Sequence, residues 1–171
     1  DEDEILMAPG LTHMDDSLPP VIGGMRRQLK LARLVMEFGT HGWGQTPDAG
    51  QAAELALELA RFLDQMETEG IPFTALNGLE MAENLADHWQ KTLNFLEILT
   101  EYWPRELAEE DAIGPAEHRN RLLKAQSLAW QAHGPKGWVI AAGSTGSIPA
   151  TADLLDAVAG LEQGCVVLPG L

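Results

Sequence analysis

At 171 residues the chain is long enough for one domain, or one domain carrying an insertion, and its 45% hydrophobic residues are enough for a sizeable core. Eleven Lys and Arg stand against twenty-six Asp and Glu, and the resulting formal charge of −15 repels nucleic-acid phosphates and anionic membranes unless the few cations share one face. The single cysteine, Cys165, excludes an internal disulfide and a thiolate zinc site, and no apolar run approaches the length of a membrane span.

The first residues, Asp1-Glu2-Asp3-Glu4, are followed at once by Ile5-Leu6-Met7, and there is no initiating Met. This is the pattern expected of a piece excised from a longer polypeptide just before a short strand. Ala8-Pro9-Gly10 would stop that strand, and a polar linker with Asp15, Asp16 and Pro19-Pro20 leads into a helix expected from Ile22 to about Phe38. Met25, Leu29, Ala32 and Met36 fall on one face of that helix and are the expected core stripe. Arg26, Lys30 and Arg33, with Arg27 beside them, fall on another face and form the densest basic cluster in the chain. Charge on an outer face is the ordinary amphipathic arrangement. A phosphate-backbone contact is the functional reading, because such a cluster is out of keeping with so acidic a chain.

Gly39, Gly42 and Gly44 around Trp43 form a turn, and Thr46-Pro47-Asp48 signals a helix start with a hydroxyl cap, a proline in the first turn and a carboxylate at the positive dipole end. That helix is expected to reach Glu69, with Ala52, Leu55, Ala56, Leu59, Leu63 and Met66 inside and Gly70 and Pro72 closing it. After Phe73 to Gly78, a periodic segment from about Met81 to Trp103 carries Leu85, Trp89, Leu93, Leu96, Leu99 and Trp103, a core stripe that Pro104 should kink or break, with Arg105 to Glu110 as the expected continuation of the helix. Gly114-Pro115 starts another helix, running through His118, Arg119, Leu122, Leu123, Leu128 and Trp130. Gly134-Pro135-Lys136-Gly137 is then a turn.

From Trp138 the pattern becomes strand, loop, helix, strand. Trp138 to Ala142 is a short apolar run, Gly143 to Ser147 a loop of small residues, and Pro149 suits a first helical turn. Leu154, Leu155, Val158 and Leu161 recur at helical spacing before a second, buried-looking strand, Cys165 to Leu168, in which Cys165 reads as a small buried side chain in a reducing compartment. Such a βαβ unit implies a parallel sheet, with any ligand site at the carboxyl end of the first strand, Gly143 to Ile148. The expected fold is therefore α/β, a mostly helical block inserted into a small parallel β-sheet. Residues 1–19 form an amino-terminal strand and linker, 20–132 the helical insertion and 133–171 the βαβ part.

Catalytic patterns are scarce. A phosphate cradle needs a Lys followed by Ser or Thr after its glycines, and Gly143-Ser-Thr-Gly-Ser has none; a magnesium-holding strand end needs a carboxylate, and Ala141, Ala142 and Gly143 offer none. Ser144, Thr145 and Ser147 do not form a nucleophile elbow, because the second glycine falls one residue late. His13, His41, His88, His118 and His133 have no metal-ligand spacing, and carboxylate groups such as Asp15 with Asp16, or Glu109, Glu110 and Asp111, read as solvating.

Taken together, several stretches resemble the AddB family of bacterial double-strand-break repair subunits. They are Gly143-Ser-Thr-Gly-Ser-Ile-Pro-Ala-Thr-Ala-Asp-Leu-Leu, Val166-Val-Leu-Pro-Gly-Leu, Arg26-Arg-Gln-Leu-Lys-Leu-Ala-Arg-Leu-Val, Leu59-Ala-Arg-Phe-Leu-Asp-Gln-Met-Glu-Thr-Glu-Gly and His88-Trp-Gln-Lys-Thr-Leu-Asn-Phe-Leu-Glu-Ile. The resemblance covers nearly the whole chain. It implies an internal piece of an inactivated helicase-like region, similar to the first motor domain of superfamily 1 helicases. The parent would be an ATP-dependent DNA helicase and exonuclease acting on DNA ends with an AddA-like partner subunit in the cytoplasm. In active motors of that kind, an Asp-Glu pair ends the strand matching Trp138 to Ala142. With Pro149 in register, Ala142 and Gly143 stand where those carboxylates would be. The implied segment is non-catalytic and holds no cofactor itself; ATP, magnesium and an iron-sulfur cluster belong to the parent complex.

On this reading Arg26, Arg27, Lys30 and Arg33 are the expected DNA contacts, with Arg119, Arg121 and Lys124 as the second choice. The alternative is an acidic helical scaffold that docks a protein partner without binding DNA. A third reading is a small nucleotide-binding enzyme using Gly143 to Ser147.

Overall fold

The computed structural model describes residues 18–39, 47–78 and 96–170. It is mostly helical, with one two-stranded parallel sheet, and it divides into two compact units. The larger comprises Pro20–Glu67 and Ile71–Pro115, and the smaller takes in Thr68–Gly70 and Ala116–Leu171. The strand expected at Ile5 to Met7, the turn around Trp43 and the stripe at Leu85, Trp89 and Leu93 lie outside the described residues.

The larger unit is built on helices α1 (Gly24–Phe38) and α2 (Ala49–Thr68) and a helical run that ends in α3 (Trp103–Glu109). The start of α2 is fixed by a reciprocal capping box. The Gln51 amide donates to the Asp48 carboxylate at 2.9 Å, and the Asp48 amide donates back to the Gln51 side chain at 3.3 Å. Asp48 is thus the capping residue itself, two residues beyond the hydroxyl cap that the sequence places at Thr46. The helix closes as its pattern requires, with Gly70 at φ 66° and the Ile71 amide donating to the Met66 carbonyl at 2.9 Å.

Pro104 does not end its helix. The turn before it, Ile98–Tyr102, is a π-helix, in which the Trp103 amide reaches back to the Ile98 carbonyl. This wider turn absorbs a residue that lacks an N–H and crowds the carbonyl four positions earlier, so α3 continues to Glu109. The Thr100 hydroxyl also donates to the Leu96 carbonyl at 3.3 Å.

Leu31, Leu34 and Val35 of α1, Ala52, Ala56, Leu59 and Leu63 of α2, and Ile98, Leu99, Trp103 and Leu107 form one core with Ile22. The buried face of α1 is therefore not the Met25, Leu29, Ala32 and Met36 stripe. Met25 is 75% exposed and Leu29 64%, while Leu31 and Val35 are fully covered. The two ends of this unit meet in an isolated parallel bridge between Val21 and Ile113. The Ile22 amide donates to the Ile113 carbonyl, and the Ile113 amide to the Pro20 carbonyl, both at 3.0 Å.

The smaller unit holds α4 (Pro115–Ala132), β1 (Val139–Ala142), α5 (Pro149–Ala159) and β2 (Gly164–Val167). Pro115 and Pro149 both stand at helix starts, where a missing N–H costs nothing. The strands pair in parallel, Val139 opposite Gly164 through Ala142 opposite Val167. The α5 crossover packs on both strands. The Ser127 hydroxyl on α4 donates to the Asp153 carbonyl of α5 at 3.0 Å. The strands alternate half-buried and exposed residues, so Cys165 is exposed rather than buried. Among the described residues, no helix is long and apolar enough to cross a membrane.

Candidate functional site

Helix geometry puts residues three and four apart on neighbouring positions of one surface, and α1 uses this to gather Arg26, Lys30 and Arg33. The structure brings all three together and sets carboxylates against them. Arg26 donates to Glu110 at 2.6 Å. Lys30 lies 2.5 Å from Glu106 and 3.0 Å from Glu110. Arg33 reaches Glu106 at 2.6 Å and its own-helix neighbour Glu37 at 3.5 Å. The pairings run in opposite senses, Arg26 with Glu110 and Arg33 with Glu106, so α1 and α3 lie antiparallel where they meet.

Arg27 points elsewhere. It is buried, and its guanidinium donates to Asp64 at 2.9 Å and to the Ala60 carbonyl at 3.0 Å, both on α2. A buried Arg held by one carboxylate and one carbonyl is a pin between two helices. As a phosphate contact it would first have to leave the core.

Charge and exposure differ across the rest of the cluster. The Arg26 and Arg33 side chains are 66% and 56% exposed, whereas Lys30 is 18%, Glu106 11% and Glu110 25% exposed. The carboxylates lie beneath and the guanidinium groups rise over them. The hydrogen bond that Lys30 donates to Glu106, followed by that to Glu110, raises the Lys30 pKa above its ordinary value. In turn the bonds from Lys30 and then Arg26 hold the Glu110 carboxyl below its own. Both groups are therefore firmly charged at neutral pH.

Glu106, Glu110 and Asp64 were not among the expected site residues. Glu110 in particular reads as solvating in the sequence, yet it is the partner of two cations. The only local signal is its spacing of four from Glu106, which places two carboxylates on one helix face. Of the second-choice cations, Arg119 donates to the Thr68 hydroxyl at 2.8 Å and Arg121 pairs with Glu117 on the same helix, while Lys124 is exposed.

The other candidate is the loop after β1. Gly143 and Gly146 adopt positive φ, 82° and 66°, a backbone that side chains rarely accept and that turns the chain from strand to helix within a few residues. The Gly143 amide donates to the Val167 carbonyl at 3.0 Å, extending the ladder past Ala142. Thr145 and Ser147 bond each other at 3.2 Å, and the Gly146 amide donates to the Ser144 hydroxyl at 3.4 Å, so the loop's hydroxyls serve its own turn. Ala142 is exposed at the end of β1, and Pro149 opens α5. Among the described residues no group of three His, Cys, Asp or Glu side chains is arranged to hold a metal ion.

A third feature is the far face of the sheet. Ile140 is 66% and Val167 51% exposed, and exposed Cys165 lies opposite Ile140 in the ladder, with Trp138, 74% exposed, just before β1.

No protein-family model matches the chain, and neither does any curated protein or solved structure.

Proposed function

We propose that the chain is a non-catalytic, helicase-like segment of a DNA double-strand-break repair helicase-nuclease subunit, contributing to DNA engagement and subunit assembly. The observation that carries this reading is the β1–loop–α5–β2 unit. It has the parallel crossover on which phosphate and magnesium chemistry is commonly mounted, but its first strand ends in Ala142 and Gly143, which present no side-chain oxygen to a divalent ion. The joined ends of the larger unit, Pro20 to Ile22 against Ile113, support the insertion architecture. A chain segment that leaves and rejoins a parent sheet must bring its ends together.

In this reading ATP, magnesium and the iron-sulfur cluster serve the parent complex, an AddB-like subunit working on DNA ends with an AddA-like partner in the cytoplasm. The segment supplies shape and a cationic strip, Arg26, Lys30 and Arg33, toward the DNA backbone. The bare apolar face around Ile140 and Val167 supports its assembly role, since parallel sheets are characteristically covered on both sides. Two measurements on the intact chain test the proposal. Mg-ATP in millimolar excess should leave the melting temperature unchanged, and binding to a labelled oligonucleotide should weaken as salt rises. Nucleotide-dependent stabilisation would transfer the argument to an active enzyme.

One observation favours the second reading, an acidic scaffold that binds a protein partner and no DNA: each of the four α1 cations already has a carboxylate partner. Co-purification with the partner subunit, together with no measurable oligonucleotide binding at low salt, would establish it.

A further inference from the structure

Three cations and three carboxylates meet on the surface where α1 lies against α3. Among the described residues, Arg26, Lys30 and Arg33 contribute three positive charges and Glu37, Glu106 and Glu110 three negative ones, so these six side chains sum to zero. Two of the carboxylates come from residues 73 to 84 positions downstream of the cations they meet. Their presence is therefore a tertiary choice rather than the usual decoration of a single helix. The layering is also specific. Glu106 and Glu110 sit low and largely covered, while Arg26 and Arg33 each keep more than half of the side chain in water.

A guanidinium carries five N–H donors. Arg26 uses Nη1 on Glu110, and Arg33 uses Nη2 on Glu106 with Nε turned to Glu37. Both side chains are more than half exposed, so an anion can reach them from the solvent side. What it cannot find there is net positive charge, because the fixed carboxylates beneath have cancelled it.

Resting on the DNA-engagement reading above, we propose that Glu106 and Glu110 are built-in counter-ions that hold down the affinity of the Arg26–Lys30–Arg33 strip for a phosphate backbone. A free basic strip binds polyanions by releasing mobile counter-ions, and its affinity falls steeply with salt. The ions released are the cations condensed on the polyanion, about one for each phosphate the strip neutralises; with Glu106 and Glu110 already set against Arg26, Lys30 and Arg33, fewer phosphates are neutralised and fewer cations leave. The strip gives weak, shallowly salt-dependent contact suited to a strand that must move past, and it steers no DNA at long range.

The test uses the full chain, a fluorescein-labelled single strand, a duplex of the same length and inorganic polyphosphate, with anisotropy read across a salt series. The double variant Glu106→Gln and Glu110→Gln keeps the shape of both side chains and one accepting oxygen on each, and removes two negative charges. It should bind nucleic acid about tenfold more tightly at low salt, with a logarithmic salt slope steeper by about two. The single Glu110→Gln variant, at the more exposed position, should show about half of each change and serves where the double variant melts too early. Unchanged affinity and slope in both variants, while the wild type binds, would overturn the counter-ion role and leave the DNA reading standing. Tightened binding that survives Arg26→Ala with Arg33→Ala would place the DNA site elsewhere and overturn the DNA reading of this strip. Tightening toward polyphosphate alone would overturn nucleic acid as the ligand.

Discussion

Gly164 opens β2 at a point where the crossover leaves no room for a side chain. A Cβ built there would stand 1.8 Å from the Val158 carbonyl oxygen and 3.0 Å from the Leu161 Cβ. Contacts between a Cβ and another heavy atom are essentially never below 3.0 Å, so Gly164→Ala demands a shift of at least 1.2 Å (3.0 − 1.8). The atom that is hit cannot swing aside. Val158 is buried, and its carbonyl already accepts the Leu161 amide at 3.2 Å. Movement must instead come from β2, where the Gly164 amide bonds the Leu161 carbonyl at 3.2 Å and Gly164 pairs with Val139 at the start of the sheet. Overpacking ordinarily costs about 1–3 kcal/mol, and a clash with fixed backbone belongs at the upper end, about 3 kcal/mol. For a chain of this length that lowers the melting temperature by roughly 6–12 °C. Thermal unfolding of the intact chain followed by circular dichroism reads this directly. Gly137→Ala is the control, since nothing lies within 4 Å of its added Cβ, and it should melt with the wild type or slightly above it. If Gly164→Ala melts alongside Gly137→Ala, the tight α5–β2 junction is not as described.

Other expectations follow from the packing and the ion pairs. Leu31→Ala should cost about 2–5 kcal/mol because the side chain is fully covered, whereas Leu29→Ala, 64% exposed, should change stability by less than about 0.5 kcal/mol; urea melts of the two separate the faces of α1. Arg27→Met should cost about 2 kcal/mol by leaving Asp64 without its cation, less than for a fully buried pair because Asp64 is 39% exposed. Adding Asp64→Leu should recover part of that loss, which a double-mutant cycle measures. Because the Glu110 carboxyl is held below its usual 4.5 in the folded chain, its contribution is present above that value and fades as pH falls through the lowered pKa. Wild type and Glu110→Gln should therefore differ in melting temperature at pH 6 and converge toward pH 3. A difference that stays constant would show that Glu110 stabilises without its charge. Lys30 acts at the other extreme: its raised pKa keeps its contribution intact below 10.5 and loses it only as pH climbs through the folded value.

How much of this was legible in the sequence depends on which forces wrote each feature. Helix limits were readable wherever punctuation is local: Gly70 after α2, Pro115 at the start of α4, Pro149 at the start of α5. Pro104 signals a disturbance followed by more helix, as found, but not its form, a π-turn that composition does not announce. The inner face of α1 misleads for a deeper reason. Two stripes recur at helical spacing there, and the more apolar-looking one, Met25 with Leu29 and Met36, is outside. The true inner stripe includes Arg27, which a periodicity argument discards but which Asp64 and the Ala60 carbonyl make acceptable in the interior. Likewise the basic cluster was visible in the sequence, while its neutralisation was not, since Glu106 and Glu110 lie more than seventy positions away.

The sheet poses the same problem in reverse. Trp138 to Ala142 and Cys165 to Leu168 read as continuous apolar runs, the pattern of parallel strands buried on both faces. The fold covers one face with α5 and leaves the other alternation, Ile140, Ala142, Cys165 and Val167, exposed. Pattern and burial disagree in the way expected if this face is covered in the assembly proposed above. Were this sheet to work alone in water, polar residues at Ile140, Cys165 and Val167 would cost nothing, since alternation is the ordinary solution for a one-sided sheet. Replacing these three with Ser, Ser and Thr therefore separates the cases. Unchanged thermal stability of the chain, together with loss of its association with the partner subunit, is the outcome expected of an assembly surface. Preserved association would remove this face from the assembly and leave the strands' composition without a physical cause.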